Sequence, residues 1–195
     1  MGTAAEELAS RVLARAAARG ATVAVAESLT GGMVADALVT MPGASAVLRL
    51  GVVAYATPLK ASVLRVPQAL LDARGAVDPE VSAAMARGVR MLAATEGEVC
   101  TIGVATTGVA GPRGQDGHPP GEVHVAAAAR TREGEALLLR ELAVPGEREA
   151  VRAAATLAAL ELLDAMLDRT DLDTGHPDTG RPGAGGSDTH SASTA

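Results

Sequence analysis

The sequence predicts an α/β protein with one three-layer domain, in which helices flank a mixed central sheet that includes one β-hairpin. Short β-prone runs alternate with stretches of helical periodicity through residues 1–168. Only 1% of the residues are aromatic, so Ala, Val and Leu must fill the core by close backbone packing, which favours helices layered on a sheet. Residues 169–195 are rich in Gly, Ser, Thr and Asp and are predicted to form a disordered tail.

The first elements are predicted from apolar spacing and from residues that end or begin helices. Leu8, Val12 and Leu13 fit one buried face of a helix that Gly20 ends. The run "ATVAVAE" then predicts a buried strand, and "SLTGGMVADALVT" predicts a helix for which Ser28 or Thr30 can serve as the N-cap. This order places Ser28 at a strand-to-helix junction.

The middle of the chain predicts a second strand and three further helices, one of them a short helix in "VPQALLDAR". "VLRLGVVAY" is the strand candidate, and it ends at Tyr55. Pro58 suits the first turn of a helix that carries Lys60 in its opening turn. After a Gly75 break, Asp78 and the proline that follows it mark the start of a longer helix.

The last part of the domain predicts a third strand, a long loop, a hairpin and a final helix. The strand candidate "EVCTIGVATTG" continues into "TTGVAGPRGQDGHPPG", and long irregular loops in compact domains are often functional. "EVHVAAAAR" and "GEALLLREL" flank "TREGE" as an antiparallel hairpin. The segment "GEREAVRAAATLAALELLDAML" is predicted to cover the sheet as a helix.

Composition argues against several functional classes. The net charge is −6 and no stretch clusters Lys and Arg, so direct nucleic-acid binding is not expected. Cys100 is the only cysteine, which excludes an intrachain disulfide. The N-terminal segment mixes Glu and Arg without a continuous apolar run, so no signal peptide, no membrane association and a cytoplasmic location are expected. His118 and His124 lack companion ligands at metal-binding spacing, so neither a metal nor a cofactor is expected.

Two short motifs carry hydroxyl and glycine residues suited to an anion or a carbonyl. In "AESLTGG", the amides near Gly31 and Gly32 can face an oxyanion at a helix N-terminus beside Ser28. The alternative is that Ser28 and Thr30 are only helix caps.

The second motif, "TTGVAGP", follows the third strand. The hydroxyls of Thr106 and Thr107 and the amides near Gly108 and Gly111 form a plausible cradle for a phosphate or carbonyl group. It is not a Walker loop, because no Lys-Ser/Thr pair follows the glycines. A structural turn explains the motif equally well.

The only tyrosine and the only lysine lie five positions apart, as Tyr55 and Lys60, in a chain that otherwise uses sixteen arginines. A lysine can give up its proton in a desolvated site, whereas a guanidinium stays charged. Together with Ser28, they outline a serine nucleophile with a lysine base. The alternatives are a surface lysine and a strand-end tyrosine with its hydroxyl group in water.

Four ordered segments resemble one known family. "VAVAESLTGGMVADALVTMPGASAVLRLGVVAYATPLKASVL", "GAVDPEVSAAMARGVR", "ATTGVAGPRGQDGHPPGEVHVA" and "GEREAVR" are similar to the CinA carboxy-terminal domain family in its stand-alone form, over roughly residues 8–167. The characterised enzymes of that family are nicotinamide-nucleotide amidohydrolases.

The resemblance implies roles for individual residues. Ser28 corresponds to the nucleophile, and Tyr55 and Lys60 correspond to its partners. Arg148 and Arg152 lie in a motif expected to contact substrate phosphate or backbone. Glu27 neighbours the nucleophile and is expected to orient it. The residues expected to bind substrate are Glu27, Thr30, Gly31, Gly32, Thr106, Thr107, Gly108, Gly111, Arg148 and Arg152.

The function implied by the resemblance is hydrolysis of nicotinamide mononucleotide (NMN) to nicotinate mononucleotide and ammonia, within pyridine nucleotide metabolism. The expected partner is this small-molecule substrate, and a homo-oligomer is a further expectation. One alternative is amide hydrolysis on another pyridine nucleotide. The other alternative is a non-enzymatic partner protein, associated with competence or DNA damage, in which the pocket is inactive. A separation of Ser28 from Lys60 beyond one water would favour that alternative.

Overall fold

The computed structural model describes residues 4–95 and 97–174. In these residues, six α-helices and five strands form the fold, with one short 3₁₀ turn at Ala44–Ala46. The helices are α1 (Ala4–Ala18), α2 (Met33–Val39), α3 (Thr57–Ser62), α4 (Gln68–Arg74), α5 (Pro79–Leu92) and α6 (Arg148–Met166). The strands are β1 (Val23–Glu27), β2 (Leu48–Val53), β3 (Ile102–Gly108), β4 (Glu122–Thr131) and β5 (Gly134–Ala143).

The five strands form one mixed sheet in the order β2-β1-β3-β4-β5. Strand β1 pairs in parallel with β2 and β3, whereas β4 pairs antiparallel with β3 and β5. Thr131 pairs with Gly134, so β4 and β5 form a hairpin that turns at residues 132–133. The predicted α/β class, the mixed sheet and the hairpin are confirmed.

Helices cover both faces of the sheet, which confirms the three layers. Val23 and Val25 of β1 pack into the core beneath α1, α2 and α6. The intervening Ala24 and Ala26 pack into the second core, which α4 and α5 cover. Alternate side chains of a strand point to opposite faces, so one short strand supplies both cores.

Close approach of backbones replaces aromatic bulk in the second core. A Cβ atom added at Gly103 of β3 would lie 2.1 Å from the carbonyl oxygen of Ala86 on α5. One added at Gly88 of α5 would lie 1.9 Å from the carbonyl oxygen of Leu64. These two glycines therefore let α5 lie directly on the sheet and on the segment that follows α3.

The ordered chain continues beyond residue 168, where the tail was predicted to begin. Leu172 is buried, and it forms an isolated bridge with Thr131 at the end of β4. The backbone N–H of Arg132 also donates to the carbonyl oxygen of Asp171. One buried leucine thus extends the folded region to these residues, and the rest of the predicted tail, 175–195, lies outside the described residues.

Candidate active site

A cavity of about 440 Å³ lies at the carboxyl ends of the parallel strands. Ser28 follows β1 directly, Tyr55 follows β2, and Thr107 lies at the end of β3. Because parallel strands end at the same edge of a sheet, the fold brings these three segments together. The cavity is lined by Ser28, Leu29, Tyr55, Ala56, Thr57, Lys60, Ala76, Val77, Thr107, Gly108, Val109, Ala110, Gly111, Arg113, Gly114, Gln115 and Arg148.

The structure places the predicted nucleophile and base in direct contact. Nζ of Lys60 lies 3.0 Å from Oγ of Ser28, and it also lies 2.8 Å from the carbonyl oxygen of Ala54. Helix α3, which begins beside Pro58 as predicted, carries Lys60 inward so that its side chain crosses to the end of β1. At 3.0 Å the two groups are in direct hydrogen-bond contact, so they satisfy the geometric condition for a nucleophile and its base.

Burial changes the acidity of Lys60. The residue is 1% exposed, and this desolvation lowers its pKa from 10.5 to about 8. Among the described residues that line the cavity, none is an Asp or Glu, so none of them holds the ammonium in its charged form. A lysine in this position is therefore able to accept a proton near neutral pH.

The turn after Ser28 is stabilised differently from the prediction. The predicted hydroxyl cap of α2 is wrong: Gly32 is the N-cap, and no side chain of that residue caps the helix. The fully buried carboxylate of Glu27 instead accepts hydrogen bonds from the backbone N–H groups of Gly32, Val34 and Ala35. Glu27 therefore supports the helix that follows the nucleophile and does not line the cavity.

The amides predicted to face an anion in this turn already have partners. The N–H of Gly31 donates to the carbonyl oxygen of Ser28 at 3.1 Å, and the N–H of Gly32 donates to Glu27. Neither glycine lines the cavity. Their φ values of 62° and 104° favour glycine, so both residues serve to form a tight turn.

Three more predicted residues lie behind the cavity wall. The hydroxyl groups of Thr30 and Thr106 lie 2.7 Å apart, and both residues are fully buried. Arg152 of α6 binds the carbonyl oxygens of Leu29 and Thr30. These groups tie the Ser28 turn to β3 and α6, and none of the three residues lines the cavity.

Tyr55 lines the cavity and is largely exposed, and its hydroxyl group binds an arginine. It is 59% exposed, and its hydroxyl oxygen accepts a hydrogen bond of 3.2 Å from Arg148. Arg148 also donates to the carbonyl oxygen of Gly111, so it connects the end of β2 to the long loop after β3. Arg148 and Gly111 also line the cavity, and their predicted role in substrate binding stays a prediction.

The end of β3 contributes mainly shape to the site. The Thr107 hydroxyl donates to the carbonyl oxygen of Ala76 at 2.6 Å, which ties the β3 end to the segment between α4 and α5. Gly108 has a φ of 153°, and a Cβ atom there would lie 2.4 Å from the carbonyl oxygen of Glu122. Both residues still line the cavity, beside the loop backbone of Val109 and Ala110.

Sequence reasoning missed three polar side chains of the cavity, Thr57, Arg113 and Gln115. Arg113 and Gln115 lie in the loop 109–121, which the sequence marked as long and irregular. The presence of an arginine in a glycine-rich loop beside a catalytic candidate is the signal that identifies Arg113. The carbonyl oxygen of Ala54 accepts a hydrogen bond from Lys60. The sequence carries no signal for this contact, because every residue has a backbone carbonyl group.

A second cleft of about 700 Å³ lies where the loop 109–121 meets the hairpin. Its polar groups are Glu122, His124 and Glu141, set among prolines and aliphatic side chains. The Glu122 carboxylate lies 2.9 Å from Nδ1 of His118 and 3.1 Å from Nε2 of His124, and these contacts lower its pKa against the opposing effect of burial. The histidines therefore do have a companion carboxylate. Across residues 4–95 and 97–174, no three His, Cys, Asp or Glu residues are arranged to hold a metal ion.

The comparison with protein families covers nearly all of the described domain. A family described as the CinA C-terminal domain matches residues 5–167. The chain belongs to this family. The family membership that the four sequence segments predicted is therefore confirmed.

The CinA relatives extend the comparison to whole proteins. A CinA-like protein of Frankia casuarinae is 44% identical over 166 residues, which cover 85% of this chain and 36% of the relative. A CinA-like protein of an Anaeromyxobacter species is 47% identical over 167 residues, covering 85% of this chain and 38% of the relative. The chain thus spans little more than a third of the length of these two proteins.

Solved CinA structures share the fold over their full length. The competence/damage inducible protein CihA of Agrobacterium tumefaciens is 36% identical with a TM-score of 0.77, covering 87% of this chain and 98% of that one. The competence damage-inducible protein A (ComA) of Klebsiella pneumoniae is 31% identical with a TM-score of 0.78, covering 87% of this chain and all of that one. Among the helices of residues 4–95 and 97–174, none has the length and apolar character needed to cross a membrane.

Proposed function

We propose that this CinA domain is an amidohydrolase that converts nicotinamide mononucleotide and water to nicotinate mononucleotide and ammonia. The observation that carries the proposal is the 3.0 Å contact between Ser28 Oγ and the buried amine of Lys60. The expectation that NMN is the substrate rests on the family resemblance. The geometry supports the reaction class, which is acyl transfer through a serine nucleophile.

In the first step, Ser28 Oγ attacks the carboxamide carbon while its proton passes to neutral Lys60. The hydrogen bond from Lys60 to the Ala54 carbonyl leaves the amine lone pair available toward Ser28. Protonated Lys60 then gives its proton to the departing nitrogen, and ammonia leaves with formation of an ester on Ser28. Water attacks this ester with Lys60 again as the base, which releases the carboxylate product and restores Ser28.

The developing oxyanion needs donors from the loop side of the cavity. The amides of Gly31 and Gly32 are bound to Ser28 and Glu27, so they are not available. Ala110 and Gly111 also line the cavity, and their backbone N–H groups are the donors assigned to the oxyanion in this proposal. Tyr55 acts at the rim in this proposal, where its hydroxyl group holds Arg148, and it is not assigned to the proton relay.

The charge of the cavity suits an anionic substrate. Arg113 and Arg148 line it, and no carboxylate does. Guanidinium groups bind phosphate through paired hydrogen bonds, so these two residues are the proposed contacts of the NMN phosphate. The same cavity has no acidic group to attract a substrate that carries only the pyridinium charge.

The direct contact of Ser28 with Lys60 favours an enzyme over an inactive partner protein. An inactive pocket would not need to keep a buried lysine at a serine, because the burial of a cation costs free energy. A cytoplasmic location and a homo-oligomer remain predictions. The proposal concerns this domain alone, since the curated relatives are far longer.

Ammonia release from NMN tests the proposed function. Wild type is expected to release ammonia in step with nicotinate mononucleotide, and Ser28→Ala is expected to lose at least about 1000-fold in kcat. Ser10→Ala is the matched control, since it removes a hydroxyl group from an exposed position of α1. Equal turnover by Ser28→Ala and Ser10→Ala would exclude Ser28 as the nucleophile. Absence of turnover by wild type would exclude NMN as the substrate.

A further inference from the structure

Arg152 of α6 binds the turn that carries Ser28. Its Nε atom donates to the carbonyl oxygen of Leu29 at 3.0 Å, and its Nη2 atom donates to that of Thr30 at 2.7 Å. These are the two residues that follow the nucleophile in the chain. The planar guanidinium thus binds two successive peptide groups at once, which fixes the direction of both.

The sequence leaves room for this contact at Gly31. A Cβ atom at that position would lie 3.3 Å from Nη2 of Arg152, closer than most side-chain contacts. Gly31 also has a φ of 62°, which side chains other than glycine rarely adopt. The glycine of the "TGG" motif therefore serves both the turn and the approach of the arginine.

Glu27 and Thr30 stabilise the same turn through other hydrogen bonds. Glu27 accepts hydrogen bonds from N–H groups at the start of α2, whereas Arg152 donates to the carbonyl groups that precede them. The hydroxyl group of Thr30 lies 2.7 Å from that of Thr106 on β3. The turn is thereby tied to α2, α6 and β3, and Arg152 supplies the one charged donor among these contacts.

Arg148 and Arg152 lie one helical turn apart on α6 but meet different parts of the site. Arg148 lines the cavity and contacts the rim groups Tyr55 and Gly111. Arg152 does not line the cavity, and both of its hydrogen bonds go to backbone carbonyls. A role in substrate binding therefore suits Arg148 and does not suit Arg152.

We propose that Arg152 is a positioning residue, which holds Ser28 in reach of Lys60 by binding the carbonyl oxygens of Leu29 and Thr30. The inference rests on the proposed function only in taking Ser28 as the nucleophile. Loss of the guanidinium frees the turn to shift relative to Lys60. A displacement of about 1 Å in an active site lowers the rate by roughly 100-fold.

The test combines NMN turnover with a substrate-independent measure of Ser28. Phenylmethylsulfonyl fluoride sulfonylates an activated serine: a sulfur–oxygen bond forms, fluoride leaves, and the serine proton passes to the base. The labelling rate at Ser28 is measured by mass spectrometry, with Ser28→Ala as background. Arg152→Ala is compared with Arg148→Ala and with Arg132→Ala, which alters an exposed arginine on the hairpin turn.

The two arginines of α6 are expected to give opposite results. Arg152→Ala lowers kcat and the labelling rate by about 100-fold with KM within about threefold of wild type. Arg148→Ala raises KM by about tenfold and leaves labelling unchanged. Free guanidinium ion at millimolar concentration restores labelling in Arg152→Ala, which a merely unfolded variant would not show. Thermal melting confirms that each variant is folded.

The outcomes separate this inference from the proposed function. Labelling that depends on Arg152, without NMN turnover in wild type, supports the inference and rejects NMN as the substrate. NMN turnover in which Arg152→Ala raises KM alone, with normal labelling, rejects the inference and keeps the proposed function. Wild type that is neither labelled above the Ser28→Ala background nor active on NMN rejects both, since Ser28 is then not activated.

Discussion

Two clefts lie on either side of the loop 109–121, and the smaller one contains the candidate chemistry. The cavity at Ser28 has a volume of about 440 Å³, whereas the cleft at His124 has a volume of about 700 Å³. Within residues 4–95 and 97–174, the first is lined by three cationic side chains, Lys60, Arg113 and Arg148, and by no carboxylate. In the same part of the chain, the second is lined by Glu122 and Glu141 and by no Lys or Arg.

The two clefts differ in how buried charge is stabilised, and this property marks a candidate site better than volume does. In the second cleft, the Glu122 carboxylate has two imidazole groups within hydrogen-bond distance, so specific partners stabilise it there. In the first, Lys60 has no carboxylate beside it, and burial shifts its pKa to about 8. An uncompensated buried cation beside a hydroxyl group is costly to keep, and such sites are commonly functional.

Lys60→Arg, compared with a substitution in the second cleft, is expected to give the largest difference in the rate of ammonia release. The guanidinium cannot accept a proton from Ser28, so we expect ammonia release from NMN to fall by about 1000-fold. Glu141→Gln, which removes a charge from the second cleft, is expected to leave the rate within about twofold of wild type. An equal loss in the two variants would contradict the assignment of catalysis to the Ser28 cavity alone.

The stability of the fold should depend on Lys60 at high pH. The pKa of Lys60 is lower in the folded state than its ordinary value of 10.5, so between about pH 8 and 10.5 the unfolded chain binds more protons. The free energy of unfolding therefore rises through this window by about 3 kcal/mol, a contribution that is absent below pH 8. Lys60→Met should lack this rise in urea unfolding measured from pH 7 to 10.5. An identical pH dependence in both proteins would show that Lys60 is not desolvated.

The pH dependence of the reaction should report the same group with a smaller effect. Only neutral Lys60 accepts the proton, so kcat/KM should rise by about tenfold per pH unit below pH 8 and level off above it. The measurement is initial-rate ammonia release from pH 6 to 9.5. His124→Asn, in the second cleft, should keep the same inflection. If the inflection disappears in His124→Asn, the titrating group belongs to the second cleft and is not Lys60.

Glu122→Gln is expected to have the smallest effect, and on stability alone. The contacts with His118 and His124 lower the pKa of Glu122 in the folded state, so its contribution is present above the ordinary carboxyl pKa. That contribution is lost as pH falls through the lowered value. The melting temperature of Glu122→Gln should therefore lie below that of wild type at pH 7 and approach it at acidic pH. A gap that widens with acid would contradict this sign.

The sequence predicted the sheet and its helices because their signals are local. Alternating small apolar residues, Pro58 and the Asp78 cap each act within a few residues, and the structure confirms the elements they mark. The predicted cap of α2 was wrong because the N–H groups at the start of this helix bind the carboxylate of Glu27. That residue belongs to the preceding strand, and its side chain reaches over the turn. A cap that comes from outside the helix is set by the path of the chain, which a local pattern does not contain.

The site was predictable where rare residues marked it and not elsewhere. Ser28 and Lys60 stood out because the lysine is unique in the chain, and the structure places the two side chains together. Arg148 and Arg152 have the same side chain four positions apart, so the sequence offered one role for both. Only the three-dimensional positions separate an arginine at the cavity from one behind its wall.

The single lysine of the chain gives the domain a built-in spectroscopic reporter. Reductive methylation with ¹³C-formaldehyde can modify only one side-chain amine, and that amine lies beside Ser28. In Ser28→Ala, the ¹³C-methyl groups on the Lys60 amine would give one resonance, and its chemical shift would follow the protonation of that amine. A property that most proteins show only after every other lysine is removed is therefore present in this chain as it stands.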